Sequence, residues 1–416
     1  YLFNNIREYF IMKILFIIPA YEPAWGFGGI VTSTVNLCRE LVKEGIDVSV
    51  YTTDANADGT HLEIENNTPI NKGGVKTWYF KCNIGVKHSF YSSKLISKLN
   101  ENVDNFDIVN ISAIWQLLAY KSSKICINKK IPFVVTPHAS LRKDAFYNNG
   151  NQVVKKIYWR LFGSPIIKLA NAIHFLSEGE REESFLATGN KDSFIVPNGI
   201  KIENYAVNKS EKFKIRKELN IGEDIFLLLF LGRVHPIKQV NLIIDALKTL
   251  TKINTNIRFL IVGNVDEKYF NVLNQKIIDN KLEKYIIWKE QVNNDKVKYY
   301  YSSSDLTLLT SKSEGISMAL IEAMATGTPS LVSNKVANYK EILYDKSGIV
   351  VDSTLESIQD GLNKLISGEI DINQLGTNAY NSALKRYEIN SVAKRMIVAY
   401  NDILNNSINQ EIFWNK

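Results

Sequence analysis

Short apolar segments alternate with amphipathic helical patterns along the chain, and this alternation occurs in two separate series. The first series opens with Lys13–Ile18 (KILFII), continues with a helical pattern over Val31–Lys43 and reaches a second apolar segment at Asp47–Thr53. The second series opens with Ile225–Leu231 (IFLLLFL), and a helical pattern over Val240–Thr251 follows it. Strand–helix–strand units of this kind favour parallel sheets covered by helices. The sequence therefore predicts an α/β protein with two doubly wound domains.

A polar and charged stretch at 199–223 separates the two series and predicts the domain boundary. We assign residues 12–205 to an N-terminal domain and 206–387 to a C-terminal domain, and we expect a helix within 388–416 to cross back onto the first domain. Doubly wound sheets bind ligands at the carboxyl ends of their strands, so we expect the site between the domains. The remaining predicted strands are Ile108–Ile111, Phe133–Thr136, Ala172–Leu176 and Ser193–Val196 in the first series and Arg258–Val262, Tyr285–Trp288, Leu306–Thr310 and Ser330–Ser333 in the second.

Composition restricts the classes of function. The net charge of +7 on 416 residues suits anionic small molecules or a lipid surface, and it falls short of a composition that binds nucleic acid. No apolar run approaches the length of a membrane span, and the residues before Met12 are typical of an extension and not of a signal peptide. Three widely spaced cysteines match no metal spacing and indicate a reducing compartment. We therefore expect a cytoplasmic protein.

The segment 311–329 (SKSEGISMALIEAMATGTP) carries the strongest functional signal. It follows a predicted strand and opens a helix, whose first-turn N–H groups suit a diphosphate. Glu314 lies where a carboxylate can accept hydrogen bonds from sugar hydroxyls, and Glu322 lies two helical turns further on, about 10 Å along the axis, the span between a sugar and a ribose. The alternative is structural: Ser311 and Glu314 would form a capping box, and Glu322 would be a solvated helix position.

Two cations, Arg233 and Lys238, lie in the loop after the first strand of the second series. Cations beside a helix N-terminus are unfavourable without an anion, so both side chains are candidates for clamping the phosphates of a nucleotide sugar. Each charge-assisted hydrogen bond to a phosphate would contribute roughly 1.5–3 kcal/mol. The alternative is a pair of solvated surface cations.

The loop after the first strand contains Gly26, Gly28 and Gly29, and Asp54 ends the second strand. These residues suggest an NAD-binding fingerprint in which Asp54 would bind the ribose. That fingerprint needs a tight turn directly after the strand, whereas about ten residues separate Ile18 from Gly29. A long loop with paired glycines instead allows the backbone to approach a ligand, and an ordinary flexible turn is the alternative.

His138 directly follows the predicted strand Phe133–Thr136, which puts it at the carboxyl edge of the first sheet. A histidine at this edge faces the expected site, because ligands of doubly wound sheets bind there. His61, His88 and His174 have no such placement in the predicted elements. The alternative is a histidine with a structural role.

Together these motifs resemble glycosyltransferase family 4 over about 12–405 of the chain. Glu314 and Glu322, with the run at 322–329, match the Glu-x7-Glu signature of that family. The Gly-Arg-x4-Lys pattern at 232–238 matches its diphosphate clamp, and Thr-Pro-His at 136–138 is similar to a branch that builds polysaccharides. The resemblance implies the GT-B architecture, in which two Rossmann-like domains face each other across a cleft.

The resemblance also implies roles for individual residues. Glu314 would bind sugar hydroxyls, Glu322 the ribose, and Arg233 with Lys238 the diphosphate, while His138 would lie close to the transferred sugar. Gln239 stands where the family often has glycine. The other donor-binding residues that the resemblance implies are Gly28, Gly29, Gly263, Val292, Gly315, Ile316 and Ser317.

The activity implied is that of a retaining glycosyltransferase, which moves a hexose-type sugar from a nucleoside-diphosphate sugar to a glycan or lipid-linked acceptor in surface polysaccharide biosynthesis. No Asp-x-Asp motif ends a strand, so we expect neither a metal nor another cofactor. A nucleotide-sugar epimerase of the same architecture, an NAD-dependent oxidoreductase and a non-catalytic sugar-binding module are the alternatives. We expect no nucleic acid partner.

The segment 142–168 is strongly basic, with six basic residues against one acidic residue, and aromatic residues are interleaved with them. This pattern predicts a peripheral contact with an anionic membrane at its inner face, where a lipid-linked acceptor would be presented. The alternative is a basic helix whose aromatic stripe faces the protein core.

Overall fold

The computed structural model describes residues 11–82, 90–147 and 151–407. The predicted extension before Met12 (except Ile11), His88, residues 148–150 of the basic segment and the end of the expected C-terminal helix at 408–416 lie outside the described residues. The chain forms two compact units. The first unit comprises the described residues up to 176, those at 183–199 and those from 392 onwards; the second unit comprises 177–182 and 200–391.

The strands form one sheet in each unit. The eight-stranded sheet of the first unit has the order β3-β4-β2-β1-β5-β6-β7-β8 and is parallel except for the β3–β4 pair. The second unit has a parallel six-stranded sheet in the order β11-β10-β9-β12-β13-β14. The strands are β1 Lys13–Ile17, β2 Asp47–Thr53, β3 Pro69–Lys72, β4 Val75–Phe80, β5 Ile108–Ser112, β6 Phe133–Thr136, β7 Ala172–Phe175, β8 Ser193–Ile195, β9 Phe226–Leu231, β10 Ile257–Val262, β11 Ile286–Lys289, β12 Leu306–Leu309, β13 Ser330–Ser333 and β14 Gly348–Val351.

Helices connect these strands, as parallel pairing requires. They are α1 Gly29–Lys43, α2 Ser93–Asn102, α3 Leu117–Lys129, α4 Lys143–Tyr147, α5 Gln152–Tyr158, α6 Ser164–Leu169, α7 Glu178–Glu183, α8 Phe185–Thr188, α9 Lys209–Glu218, α10 Val240–Ile253, α11 Glu267–Asp279, α12 Val297–Ser303, α13 Met318–Ala325, α14 Tyr339–Asp345, α15 Leu355–Ile366, α16 Ile372–Tyr387 and α17 Ile389–Leu404. The prediction of two α/β domains with parallel sheets is confirmed.

The central strand of each sheet is buried on both faces, which explains why it is a continuous apolar run. In β1, Ile14 and Phe16 pack into one core with α1 and α17, whereas Leu15 and Ile17 pack into a second core on the opposite face. Successive side chains of a strand point to opposite faces, so both sets must be apolar. The strand β9 repeats this arrangement in the second unit, where its residues alternate between two cores.

The strand order of the second sheet reverses between β9 and β12. From β9 the chain continues outward to β10 and β11 on one side, whereas β12 leads to β13 and β14 on the other. The loops that follow β9 and β12 therefore diverge and leave a crevice at the carboxyl ends of these two strands, where doubly wound sheets bind ligands. Arg233 and Lys238 lie in the loop after β9, and Glu314 lies in the loop after β12.

Candidate functional site

Two hydrogen bonds join the loops that follow β9 and β12. The backbone N–H of Lys312 donates to the carbonyl of Ile237 at 2.8 Å, and the hydroxyl of Thr310 donates to the carbonyl of Lys238 at 3.3 Å. The cation motif and the glutamate motif, 76 residues apart in sequence, thus form one structure at the crevice.

The side chains of Lys238 and Glu314 form an ion pair in this crevice. Nζ of Lys238 lies 2.6 Å from Oε1 of Glu314, and the hydroxyl of Ser311 donates to Oε2 at 2.6 Å. The two charged side chains are only 20% and 16% exposed, so the pair is weakly screened by water. The expectation that Lys238 needs an external anion is therefore wrong, because Glu314 supplies the opposite charge within the protein.

Arg233 differs from Lys238, because its side chain is exposed. Within the described part of the chain Arg233 forms no ion pair. Its guanidinium remains available to an anion that enters the crevice, and five N–H donors in a planar fork suit a phosphate.

The backbone of Glu314 is fixed before the helix begins. Its N–H donates to the carbonyl of Lys335 at 3.1 Å, and its carbonyl accepts from the N–H of Ala337 at 3.0 Å. Helix α13 begins only at Met318, where the side chain of Ser317 accepts from the N–H of Leu320 as the N-cap. Two expectations are therefore wrong: Ser311 and Glu314 form no capping box, and Glu314 does not lie two helical turns before Glu322.

Glu322 lies on α13 and is surrounded by aromatic hydroxyls. The hydroxyl of Tyr301 donates to its Oε2 at 3.3 Å, and Tyr205 forms a second hydrogen bond with the same carboxyl. Burial raises the pKa of Glu322 from 4.5 to about 7, and the two tyrosines act in the opposite direction. The alternative of a solvated helix position is wrong. No sequence motif indicated Tyr205, which precedes the second series by about 20 residues.

Two glycines and Gln239 shape the backbone near the crevice. A Cβ on Gly263, whose φ is +143°, would lie 2.0 Å from the carbonyl oxygen of Gly232, so only glycine fits between the ends of β9 and β10. Gln239 adopts a left-handed φ of 54°, a conformation that glycine takes more easily. Its side chain is buried and accepts a hydrogen bond from Ser353, which holds this residue in place.

The remaining predicted donor-binding residues of the second unit lie close to these elements. Gly315 and Ile316 precede the N-cap Ser317, and Ile316 packs partly buried against the core beneath α13. Val292 follows β11 and packs against the core that contains Tyr301. It also lines a cavity of about 470 Å³ together with Gln291 and Tyr300.

His138 lies at the carboxyl end of β6 in the first unit, as predicted, and its backbone is left-handed with a φ of 50°. Its Nε2 lies 3.4 Å from the hydroxyl of Ser112, and its Nδ1 is buried with no hydrogen-bond partner among the described residues. Burial lowers the pKa of His138 to about 3, and the neighbouring His174 contributes in the same direction. The imidazole is therefore neutral near pH 7, and its buried Nδ1 has no hydrogen-bond partner among the described residues.

A buried polar chain crosses the first sheet behind His138. The side chain of Asn110 links the hydroxyl of Tyr400 (3.0 Å) to that of Thr136 (3.1 Å), and Thr136 contacts Nδ1 of His174 at 3.1 Å. Nε2 of His174 contacts the carbonyl of Val196 at 2.7 Å. His174 thus has a structural role. The sequence did not indicate this series of hydrogen bonds, because the residues that form it are far apart along the sequence.

The glycine loop of the first unit has no dinucleotide fingerprint. β1 ends at Ile17, and α1 begins at Gly29 with Gly28 as its N-cap at a φ of 76°. Asp54 is 3% exposed; it contacts Nδ1 of His61 at 2.9 Å and accepts from the N–H of Cys82 at 2.8 Å. Asp54 is therefore committed to the fold, which disfavours the NAD alternative.

The basic segment separates into an inner and an outer face. Trp159 packs against Trp115 and Phe146, with ring centroids 5.8 and 5.0 Å apart, so the aromatic residues face the core. Arg142 is also buried and pairs with Glu183. The outer face of α5 and of the π-helical turn after it exposes four aliphatic side chains together with two cations: Val153, Val154, Ile157, Leu161, Lys156 and Arg160.

The described residues contain neither a cluster of metal ligands nor a helix that could span a membrane. No group of three or more His, Cys, Asp or Glu side chains in this part of the chain could hold a metal ion. No described helix is both long enough and apolar enough to cross a bilayer.

Comparisons with known proteins extend over both units. The family described as Glycosyltransferase Family 4 matches residues 27–204, and the family described as Glycosyl transferases group 1 matches 211–382. An uncharacterized glycosyltransferase of Methanocaldococcus jannaschii is 23% identical over 404 residues, which cover 94% of this chain and 98% of the relative. The alpha-monoglucosyldiacylglycerol synthase of Acholeplasma laidlawii is 24% identical, with the same coverage. The crystal structure of Anabaena HepE in complex with UDP and glucose is similar at a TM-score of 0.72 and 16% identity, and the match covers 94% of this chain and 100% of that chain.

Proposed function

The chain belongs to the family 4 glycosyltransferases, with a GT-B fold, and we propose that it moves a hexose-type sugar from a nucleoside-diphosphate sugar to a glycan or lipid-linked acceptor. The observation that carries this proposal is the Lys238–Glu314 pair in the crevice between β9 and β12. It combines a cation for phosphate and a carboxylate for sugar hydroxyls within 2.6 Å of each other. HepE, which has a similar fold, was crystallised with UDP and glucose, and this supports a ligand of the same kind here.

The diphosphate of the donor binds Arg233, Lys238 and the first turn of α13 in this proposal. The exposed guanidinium of Arg233 makes the first contact, and Lys238 then exchanges Glu314 for a phosphate oxygen. The N–H groups of the first helical turn add donors without a partner in the helix. These groups stabilise the charge of the departing diphosphate, so the proposal needs no metal ion.

The sugar and the ribose bind the two glutamates. Glu314, once Lys238 turns to the phosphate, accepts hydrogen bonds from sugar hydroxyls. Glu322 accepts from the ribose in its ionised form, which a pKa of about 7 makes available at neutral pH and above. Gly263 and Val292 lie near the base in this arrangement.

We propose that the transfer retains the anomeric configuration. The bond between the anomeric carbon and the phosphate oxygen breaks, and its electron pair stays on the leaving diphosphate. The acceptor hydroxyl forms the new bond on the same face of the sugar, and its proton passes to the leaving phosphate. Neutral His138 contributes a hydrogen bond to the transferred sugar and no charge.

A thermal-shift screen against UDP, GDP, ADP, CMP and NAD tests the donor class. One nucleoside diphosphate should raise the unfolding temperature most, and stabilisation by NAD alone would favour the oxidoreductase. Turnover of the matching nucleotide sugar with an acceptor is then followed by NMR, which reports the anomeric configuration of the product. Epimerisation of the sugar without an acceptor would identify an epimerase, and wild-type turnover by Arg233→Ala or Glu314→Ala would refute the proposed site.

The acceptor is proposed to be presented at an anionic membrane surface. Val153, Val154, Ile157 and Leu161 are 55–68% exposed on one stretch of helix, which is unusual for a protein surrounded only by water. Lys156 and Arg160 on the same stretch supply charges that an anionic leaflet attracts. The Acholeplasma relative is named for a product that is a glycolipid, which supports a lipid-linked acceptor and a site of action at the inner face of the membrane.

A further inference from the structure

We infer that Ser311 is a positioning residue for Glu314 and that Ser333 holds Ser311 in place; this inference rests on the proposed function. Ser311 is fully buried, and its hydroxyl lies 2.6 Å from Oε2 of Glu314. An ionised carboxylate can only accept, so the hydroxyl proton points at Glu314. Ser311 thus fixes one of the two oxygens of the carboxylate that is proposed to bind the sugar.

The end of β13 supports this contact. The hydroxyl of Ser333, which is also fully buried, donates to the carbonyl of Ser311 at 2.6 Å. The next turn of the chain binds the backbone of Glu314 through the carbonyl of Lys335 at 3.1 Å. The loop after β12 and the end of β13 therefore hold Glu314 at its side chain and at its backbone.

The positioning matters because Lys238 competes for the same carboxylate. Nζ of Lys238 is 2.6 Å from Oε1, and an ammonium with three donors exerts no preference for one orientation of the carboxylate. Ser311 supplies that preference, since it keeps Oε2 turned toward the loop. When Lys238 binds the diphosphate, the hydrogen bond from Ser311 still holds Oε2 and keeps Glu314 oriented toward the sugar.

Four serine variants test the inference. A panel of UDP-glucose, UDP-N-acetylglucosamine, GDP-mannose and ADP-glucose first identifies the donor that the wild-type protein turns over. We expect Ser311→Ala to lower kcat/KM for that donor about 10-fold, because it removes a hydrogen bond to a charged carboxylate. We expect Ser333→Ala to lower it about 3-fold, because it removes a hydrogen bond to a neutral carbonyl. Ser311→Thr keeps the hydroxyl and should restore most of the rate. Ser330→Ala is the matched control, because Ser330 is equally buried on β13 and its hydroxyl has no partner among the described residues.

Two measurements separate positioning from a general structural effect. Affinity for the free nucleoside diphosphate, measured by calorimetry, should be unchanged in Ser311→Ala, because Ser311 acts only through the sugar-binding carboxylate. In the Glu314→Ala background, Ser311→Ala should cause no further loss of rate. A parallel loss of nucleotide affinity, or an additive loss in the double variant, would overturn the inference.

The failure of the proposed function has a different signature. Wild-type turnover by Glu314→Ala, or no turnover of any sugar in the panel, would refute the proposed function and the inference with it. A large loss in Glu314→Ala together with wild-type kinetics in Ser311→Ala would refute the inference alone. Thermal unfolding of each variant shows whether it is folded. If Ser311→Ala does not fold, Ser333→Ala tests the same inference, because Ser333 holds Ser311 through a hydrogen bond.

Discussion

Lys238 and Glu314 neutralise each other, with Nζ of the lysine 2.6 Å from Oε1 of the glutamate. In the proposed function these two side chains bind different parts of one donor, the diphosphate and the sugar. A donor must therefore separate a pair that already exists in the protein. The pair keeps both side chains at the crevice and compensates the charge of each, so neither is buried alone before the donor binds.

Removal of one member of this pair should cost both stability and activity. Lys238→Met leaves the carboxylate of Glu314 without its cation, and we expect the free energy of unfolding to fall by about 1–3 kcal/mol. The double variant Lys238→Met/Glu314→Gln should regain part of this stability but none of the activity. Urea unfolding and donor turnover measure the two effects. Lys364→Met, which breaks an exposed ion pair with Asp360, is the control and should change neither; equal effects of the two lysine variants would contradict the prediction.

The stability of the protein should depend on pH through Glu322. Its pKa is raised from 4.5 in an unfolded chain to about 7, so protonation favours the folded state. This contribution is complete below about pH 4.5 and is lost as the pH rises through about 7. Glu322→Gln stays neutral, so its stability relative to the wild type should increase by up to about 3 kcal/mol between pH 5 and pH 8. Unfolding curves of both proteins across this range measure the difference; a constant difference would contradict the assignment.

The fold was predictable where the sequence alone determines burial. The strands β1 and β9 are buried on both faces, so each is an unbroken apolar run that needs no knowledge of its neighbours. Strands β3, β4 and β14 were missed because none of them is an unbroken apolar run. The strand β3 is a four-residue edge strand, β4 contains an exposed lysine and a threonine, and β14 is short and begins with glycine. Their pairing partners determine them more than their own residues.

The candidate site was predictable only in part. Lys238 and Glu314 stood out as motifs, but their ion pair depends on two loops that the reversal of strand order brings together. The start of α13 at Met318 also depends on residues distant in sequence. The backbone of Glu314 forms hydrogen bonds with residues 335 and 337, so the helix cannot begin there. Tyr205 could not be predicted, because it reaches Glu322 from the segment that the sequence indicated as a boundary.

His138 should influence the rate without shaping its pH dependence. Its pKa is lowered to about 3, so the imidazole stays neutral over the range in which the enzyme is assayed. We expect His138→Asn to lower kcat by about 10- to 100-fold, the loss of one or two hydrogen bonds, with the same pH profile between pH 5 and pH 9. Kinetics over this range test the prediction. If the rate of the wild type changed near pH 6.5 and that of the variant did not, His138 would titrate in this range and the prediction would be wrong.

The same lowered pKa predicts an effect on acid stability. Protonation of His138 opposes the folded state, so the stability that its neutral form permits is lost as the pH falls from 6.5 towards about 3. His138→Asn should therefore lose less stability than the wild type between pH 6.5 and pH 4. Unfolding curves of both proteins at pH 6.5 and pH 4 measure this difference, and an equal loss of stability in the two proteins would contradict the prediction.

The exposed aliphatic face of α5 and of the π-helical turn after it should carry the binding to anionic membranes. Ile157→Ser and Leu161→Ser each remove an apolar side chain that would enter the lipid, and full burial of such a side chain contributes about 1.5–3 kcal/mol. We expect the double variant to bind vesicles with 30% anionic lipid about 100-fold more weakly. Lys156→Gln/Arg160→Gln should bind about 30-fold more weakly, since each of the two cations contributes about 1 kcal/mol near the surface. Flotation with vesicles at low and high salt measures both effects. The matched control is Ile253→Ser/Val272→Ser, which removes equally exposed aliphatic side chains from the second unit and should leave binding unchanged. Equal weakening by the control would indicate non-specific hydrophobic adsorption to the vesicles. No binding by the wild type would exclude the membrane contact.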